Sequence, residues 1–146
     1  MNVTMNGFTK PTRQETYKKL IQAIKDDKVM PLKSDISKSG DTCMYQYPSG
    51  RRCAVGALFS DEQIAWLKRY SYLSNSVSNL KIYGPGKDNL EFVTGLSYYE
   101  LCELQDAHDT LIVSSYGNYD RDECLSMLIN RVKKVKKKFD NWRESV

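Results

Sequence analysis

The chain holds one histidine, His108, and four cysteines, Cys43, Cys53, Cys102 and Cys124, so nucleophilic chemistry has few parts to draw on. A cysteine hydrolase or transferase needs a thiolate within hydrogen-bond reach of an imidazole, and a third group to orient that imidazole. Here Cys53 or Cys43 would be the nucleophile, His108 the base, and Asp109 or Asp106 the orienter. His108, however, falls on the helical stripe of Leu101, Leu104 and Leu111, which turns it to the core. A lone histidine so placed is more often a hydrogen-bonded packing residue than a base.

A zinc site would draw on Cys43, Cys53, Cys102 and His108, but structural zinc is announced by closely paired ligands. Nine residues separate Cys43 from Cys53, and five separate Cys102 from His108, which sends that pair to different helix faces. Glu100, Glu103, Asp106 and Asp109 step by three and drift around the same helix, as a solvated face does. There is no P-loop, no G-x-G-x-x-G and no G-x-S-x-G. No catalytic residue, metal or cofactor is expected.

Charge is more informative. Of the 22 basic residues, six lie in "RVKKVKKK", Arg131 to Lys138, and the rest of the chain carries fewer cations than its 18 carboxylates. Arg131, Lys133, Lys134, Lys136, Lys137 and Lys138 therefore make one local positive field, suited to phosphates or to an acidic protein surface. Lysine without interleaved arginine or aromatic residues attracts but reads little sequence. Ten tyrosines among 146 residues suit half-buried positions and contact surfaces.

Four helices must position these groups. Each opens on a hydroxyl or carboxylate followed three residues later by Glu or Gln, the capping-box pattern: Thr12/Glu15, Ser60/Gln63, Ser97/Glu100 and Asp120/Glu123. The predicted spans are about Arg13 to Lys28, a helix from Asp61 that fades into "SNSVSN", Tyr98 to about Ser114, and about Arg121 to Trp142. In the last, Leu125, Leu128, Ile129, Val132, Val135, Phe139 and Trp142 form one apolar stripe with the lysines off it. "NLKIYGPGKDNLEFVTG" reads as an irregular excursion with a short strand or a helical turn.

"TCMYQY" and "RRCAVG" flank Pro48-Ser49-Gly50, which predicts a β-hairpin over about 42–56. Tyr47 would pair with Arg51 and Cys53 with Tyr45, leaving Cys43 and Cys53 diagonal at roughly 7 to 8 Å, too far for a relaxed disulfide. Tyr45, Tyr47, Arg51 and Arg52 would offer a second contact surface. Gly56 would let the chain bend towards Ser60.

The run carried by Cys43, Tyr45, Pro48, Gly50, Arg52, Cys53, Ala54, Val55, Gly56, Leu58, Phe59, Asp61 and Glu62, with the later "LQDAHD" of Leu104 to Asp109, resembles a group of small uncharacterised proteins of bacteriophages and bacterial mobile elements. The two motifs cover under a fifth of the chain. The resemblance implies a phage-type accessory protein inside a bacterial cell, and no activity.

The length fits a single domain over 1–146, of α+β class, helix-rich, with four helices and one hairpin. "MNVTMNGFTK" has no apolar leader core and no stretch has bilayer length, so a cytoplasmic protein with no membrane partner is expected. The leading expectation is a non-enzymatic accessory protein that binds a host or phage macromolecule, a protein before a nucleic acid, as a modulator or inhibitor of host machinery or defence. The alternatives are nucleic-acid binding through the basic helix and cysteine chemistry at Cys53 and His108.

Overall fold

Thr12 begins the first helix as the pattern requires. Its hydroxyl accepts from the Glu15 amide at 3.1 Å, and the Glu15 carboxylate accepts from the Thr12 amide at 3.1 Å, so two orphan donors are satisfied reciprocally. The structure, a computed structural model, describes residues 10–29, 45–46, 50–69, 86–114 and 121–145. Its helices are α1 (Arg13–Lys25), α2 (Asp61–Arg69), α3 (Lys87–Thr94), α4 (Tyr98–Ser114) and α5 (Arg121–Ser145).

The same reciprocal bonds start α2, through Ser60 and Gln63 at 2.8 and 3.1 Å, and α4, through Ser97 and Glu100 at 3.2 and 3.3 Å. The box at Asp120/Glu123 lies outside the described residues. α1 stops at Lys25, before the predicted end, because Asp26 caps it and Asp27 turns left-handed at φ 60°. The predicted excursion contains a full helix: α3, Lys87–Thr94, is preceded by Gly86 at φ 89° and ended by Gly95 at φ 71°.

The predicted β-hairpin, and with it the α+β class, is corrected. Among the described residues there is no strand or sheet, only a single parallel bridge from Val29 to Arg52, whose amide donates to the Lys28 carbonyl at 2.9 Å. Beyond it the chain curls: Ala57 bonds back to Cys53 and Leu58 to Val55, each at 3.0 Å, around a 3-10 turn at Gly56–Leu58. The reason is burial on every side. Cys53 through Phe59 are all buried, whereas a hairpin strand half open to water alternates. Cys43 and Tyr47–Ser49 lie outside the described residues.

Gly56 matters sterically. A Cβ there would stand 2.0 Å from the Tyr45 carbonyl oxygen, so only glycine allows the two backbones to meet. Arg52 fixes the exit of the turn, donating to the Phe59 carbonyl and to Asp61, each at 2.7 Å.

Among the described elements α4 and α5 form the main helix pair, α1 packs on α5 and on the 3-10 turn, and α3 packs on α4. Tyr17, Leu20, Ile24, Leu58, Leu101, Leu104, Leu128 and Val132 meet in one core. No helix among the described residues is long and apolar enough to cross a membrane.

One polar cluster sits inside this core. Glu100 is fully buried, and its Oε2 accepts from Arg13 Nε at 2.8 Å and from the Tyr17 hydroxyl at 2.9 Å. The expectation of a solvated Glu100 is thereby overturned. Burial, then the Glu100 charge, pushes the Tyr17 phenol far up, so it remains a donor. Arg13 also donates to Asp140 and to the Lys136 carbonyl, the latter at 3.0 Å, which joins α1, α4 and α5 at one guanidinium.

Gly56→Ala is expected to lower stability by about 2 to 3 kcal/mol, read as a reduced urea midpoint at unchanged slope. Gly50→Ala, at φ 89° but with open space around its Cβ position, should cost only about 1 kcal/mol. The hydrogen bond from Lys136, and then Arg13, holds the Asp140 carboxyl below its usual range. A depressed folded value stabilises fully above the unfolded value, about pH 4, and is lost as pH falls through the folded one. Asp140→Asn should therefore lower the urea midpoint at pH 7 and flatten its decline below about pH 4.

Candidate functional site

The basic helix is sorted by its own packing. In α5, Cys124, Leu128, Val132, Val135 and Phe139 recur every three or four residues and are buried, which fixes the lysines to the remaining faces. Lys136 lies half-buried beside them and donates to Asp140 at 2.8 Å, four residues along the helix. Lys138 pairs with Glu103 of α4 and lies 5.6 Å from the Phe139 ring centroid. Arg131 donates to the Ala107 carbonyl at 3.0 Å, tying α5 to α4.

Lys133, Lys134 and Lys137 are exposed. No carboxylate among the described residues pairs with them. Their positions i, i+1 and i+4 place them on one ridge with exposed Asn130 and Asn141. The six-residue basic field read from the sequence thus resolves into two half-buried cations, Arg131 and Lys136, one exposed cation, Lys138, paired with Glu103, and three exposed cations with no carboxylate partner among the described residues.

The second predicted surface is built differently. Tyr45 is fully buried, with its ring edge-on to Phe59 at 5.9 Å, so it is a core residue rather than a contact residue. Tyr47 lies outside the described residues. Arg51 pairs with Asp27 at 3.2 Å and Arg52 with Asp61 at 2.7 Å. A cleft of about 910 Å³ runs along them, lined also by Lys19 and Phe59. Four cations, Lys19, Lys28, Arg51 and Arg52, line it against three carboxylates, Asp26, Asp27 and Asp61, and both arginines are engaged by carboxylates, so the excess of positive charge is one.

The cysteine site fares no better in geometry. His108 is fully buried, with Nδ1 3.4 Å from Asp109. Cys53 is fully buried too, and its sulfur accepts the Gly56 amide at 3.3 Å. Reactive thiols need partial exposure and a positive neighbour. Cys43 lies outside the described residues, Asp106 is exposed on α4, and Cys124 is buried in α5. Among the described residues no three His, Cys, Asp or Glu side chains cluster closely enough to hold a metal ion. Cys102 is half-buried, and a hydrogen bond with it, followed by burial, pushes the Tyr98 phenol up to about 12.

No family model, characterised protein or solved structure matches the chain.

Sequence reading missed the division among the lysines. Asp140, four residues after Lys136, was the available signal. The Lys138–Glu103 pair spans 35 positions, and no local pattern announces it.

Titration with an aromatic disulfide reagent should modify Cys102 first among Cys53, Cys102 and Cys124, with Cys53 and Cys124 reacting only on unfolding. Fast native reaction at Cys53, read by peptide mapping, would reopen the cysteine chemistry.

Proposed function

We propose that this chain is a non-enzymatic accessory protein of phage type. It acts by binding a host or phage macromolecule, to modulate or inhibit host machinery or a defence system, and its contact surface is the outward ridge of α5. One observation carries this: Lys133, Lys134 and Lys137 face solvent without carboxylate partners among the described residues, while the neighbouring cations Arg131, Lys136 and Lys138 are engaged by Ala107, Asp140 and Glu103.

The reading draws further support from the burial of Cys53 and His108, which withdraws that pair from solvent. The phage-type character rests on the resemblance of the two motifs. Several of their residues, Cys53, Ala54, Val55, Gly56, Leu58, Phe59, Leu104 and His108, are buried, so those positions hold the polypeptide together.

The test is affinity capture from bacterial lysate with the wild-type chain and with Lys133→Glu/Lys134→Glu/Lys137→Glu. The variant should melt within a few degrees of wild type, because exposed substitutions perturb stability little. Its captured partner should fall at least tenfold. Capture of the same partners in the same amounts would remove α5 from the role.

A further inference from the structure

We infer that the macromolecule met by this ridge is duplex DNA, held through its phosphate backbone and without reading of sequence; the inference rests on the contact role given to α5 above. At 1.5 Å per residue the ridge from Asn130 to Asn141 is about 16 Å long, and Lys133 and Lys137 stand about 6 Å apart along it. A duplex presents one phosphate per 3.4 Å of each strand, about five steps over that length. Three ammonium groups and two terminal amides therefore face a row of acceptors of matching extent. Lysine contacts phosphate as a point charge and needs no fixed fork geometry.

The alternatives fit the ridge less well. Protein interfaces are depleted of lysine at their centres and anchored by aromatic residues, methionine and arginine. None of these is exposed from Asn130 to Asn141, and the exposed large apolar side chain among the described residues is Tyr99, on α4. Single strands are held by stacking on aromatic faces, which the ridge also lacks. Bidentate readout of guanine would need a free arginine, and Arg131 is bonded to the Ala107 carbonyl.

The neighbouring carboxylates delimit the contact. Asp122 and Glu123 are exposed in the first turn of α5, and Asp106 is exposed on α4, so a polyanion is repelled from both. Glu103, nearer the ridge, is neutralised by Lys138. Lys138, though exposed, is engaged by Glu103, and Lys136 by Asp140, so neither is assigned as a phosphate contact.

This partition can be measured. With a 20-base-pair duplex of arbitrary sequence, binding followed by fluorescence anisotropy should weaken with salt at a logarithmic slope of about −2.7, three contacts at about 0.9 each. That is about a 40-fold loss of affinity between 50 and 200 mM salt. Lys133→Gln, Lys134→Gln and Lys137→Gln should each remove about 0.9 from the slope, while Lys136→Gln and Lys138→Gln, identical in net charge, leave it unchanged. Equal flattening by all five variants would show attraction by net charge alone and overturn the inference. Tighter binding of single-stranded DNA or duplex RNA of the same length would overturn the choice of DNA. Absence of duplex binding overturns it as well. If a nuclease-resistant protein is then still lost on charge reversal, the contact role of α5 survives; if capture is unchanged, both fail.

Discussion

A buried carboxylate governs how these helices sit together. Glu100 lies at 0% exposure, and such a charge carries a desolvation penalty of several kcal/mol unless its oxygens are filled. They are filled from three directions: Arg13 and Tyr17 of α1 on one oxygen, the Ser97 amide and hydroxyl on the other. The first turn of α4 and the first two turns of α1 are consequently locked in one register. Sliding either helix by a residue would strand an ion in the core, and an unpaired buried charge destabilises by about 3 to 5 kcal/mol. The hydrophobic contacts of Leu20, Leu101 and Leu104 tolerate small shifts; the ion pair does not.

That constraint reaches the surface through Arg13. Its guanidinium touches Glu100 on one edge, and Asp140 and the Lys136 carbonyl on others, so the buried pair fixes the rotation of α5 as well. Rotation decides which lysines meet carboxylates and which meet water. With Val132, Val135 and Phe139 turned inward, Lys136 falls beside Asp140 and Lys138 beside Glu103, and the remaining three project outward. The charge pattern of the exterior is thus a product of the core.

How much of this the amino-acid pattern discloses depends on how local each determinant is. The capping boxes at Thr12, Ser60 and Ser97 are visible three residues at a time, and the apolar periods of α1, α4 and α5 are visible over a few turns. The 3-10 turn at Gly56–Leu58 was hidden because Pro48, Ser49 and Gly50 satisfy hairpin rules, while the feature that defeats a strand, burial of Cys53 through Phe59 on all sides, is tertiary. α3 was hidden because Gly86 supplies no side-chain cap and Gly84-Pro85-Gly86 signals a loop. Glu100 was read as one member of a cap and a row of acids; its second role depends on Arg13, 87 positions away. The same holds for the basic ridge, where composition gave the location and tertiary pairs gave the residues.

A ridge of this make has a definite binding character. Three point charges with no apolar centre give attraction that acts over about a Debye length, 8 to 10 Å at ordinary salt, and that accelerates encounter more than it prolongs residence. Sequence-independent association with a duplex falls at about 10⁻⁴ to 10⁻⁶ M at physiological salt, and three contacts belong at the weak end. Under the proposal above, the chain would act through occupancy, covering a polyanion when abundant and leaving it when dilute.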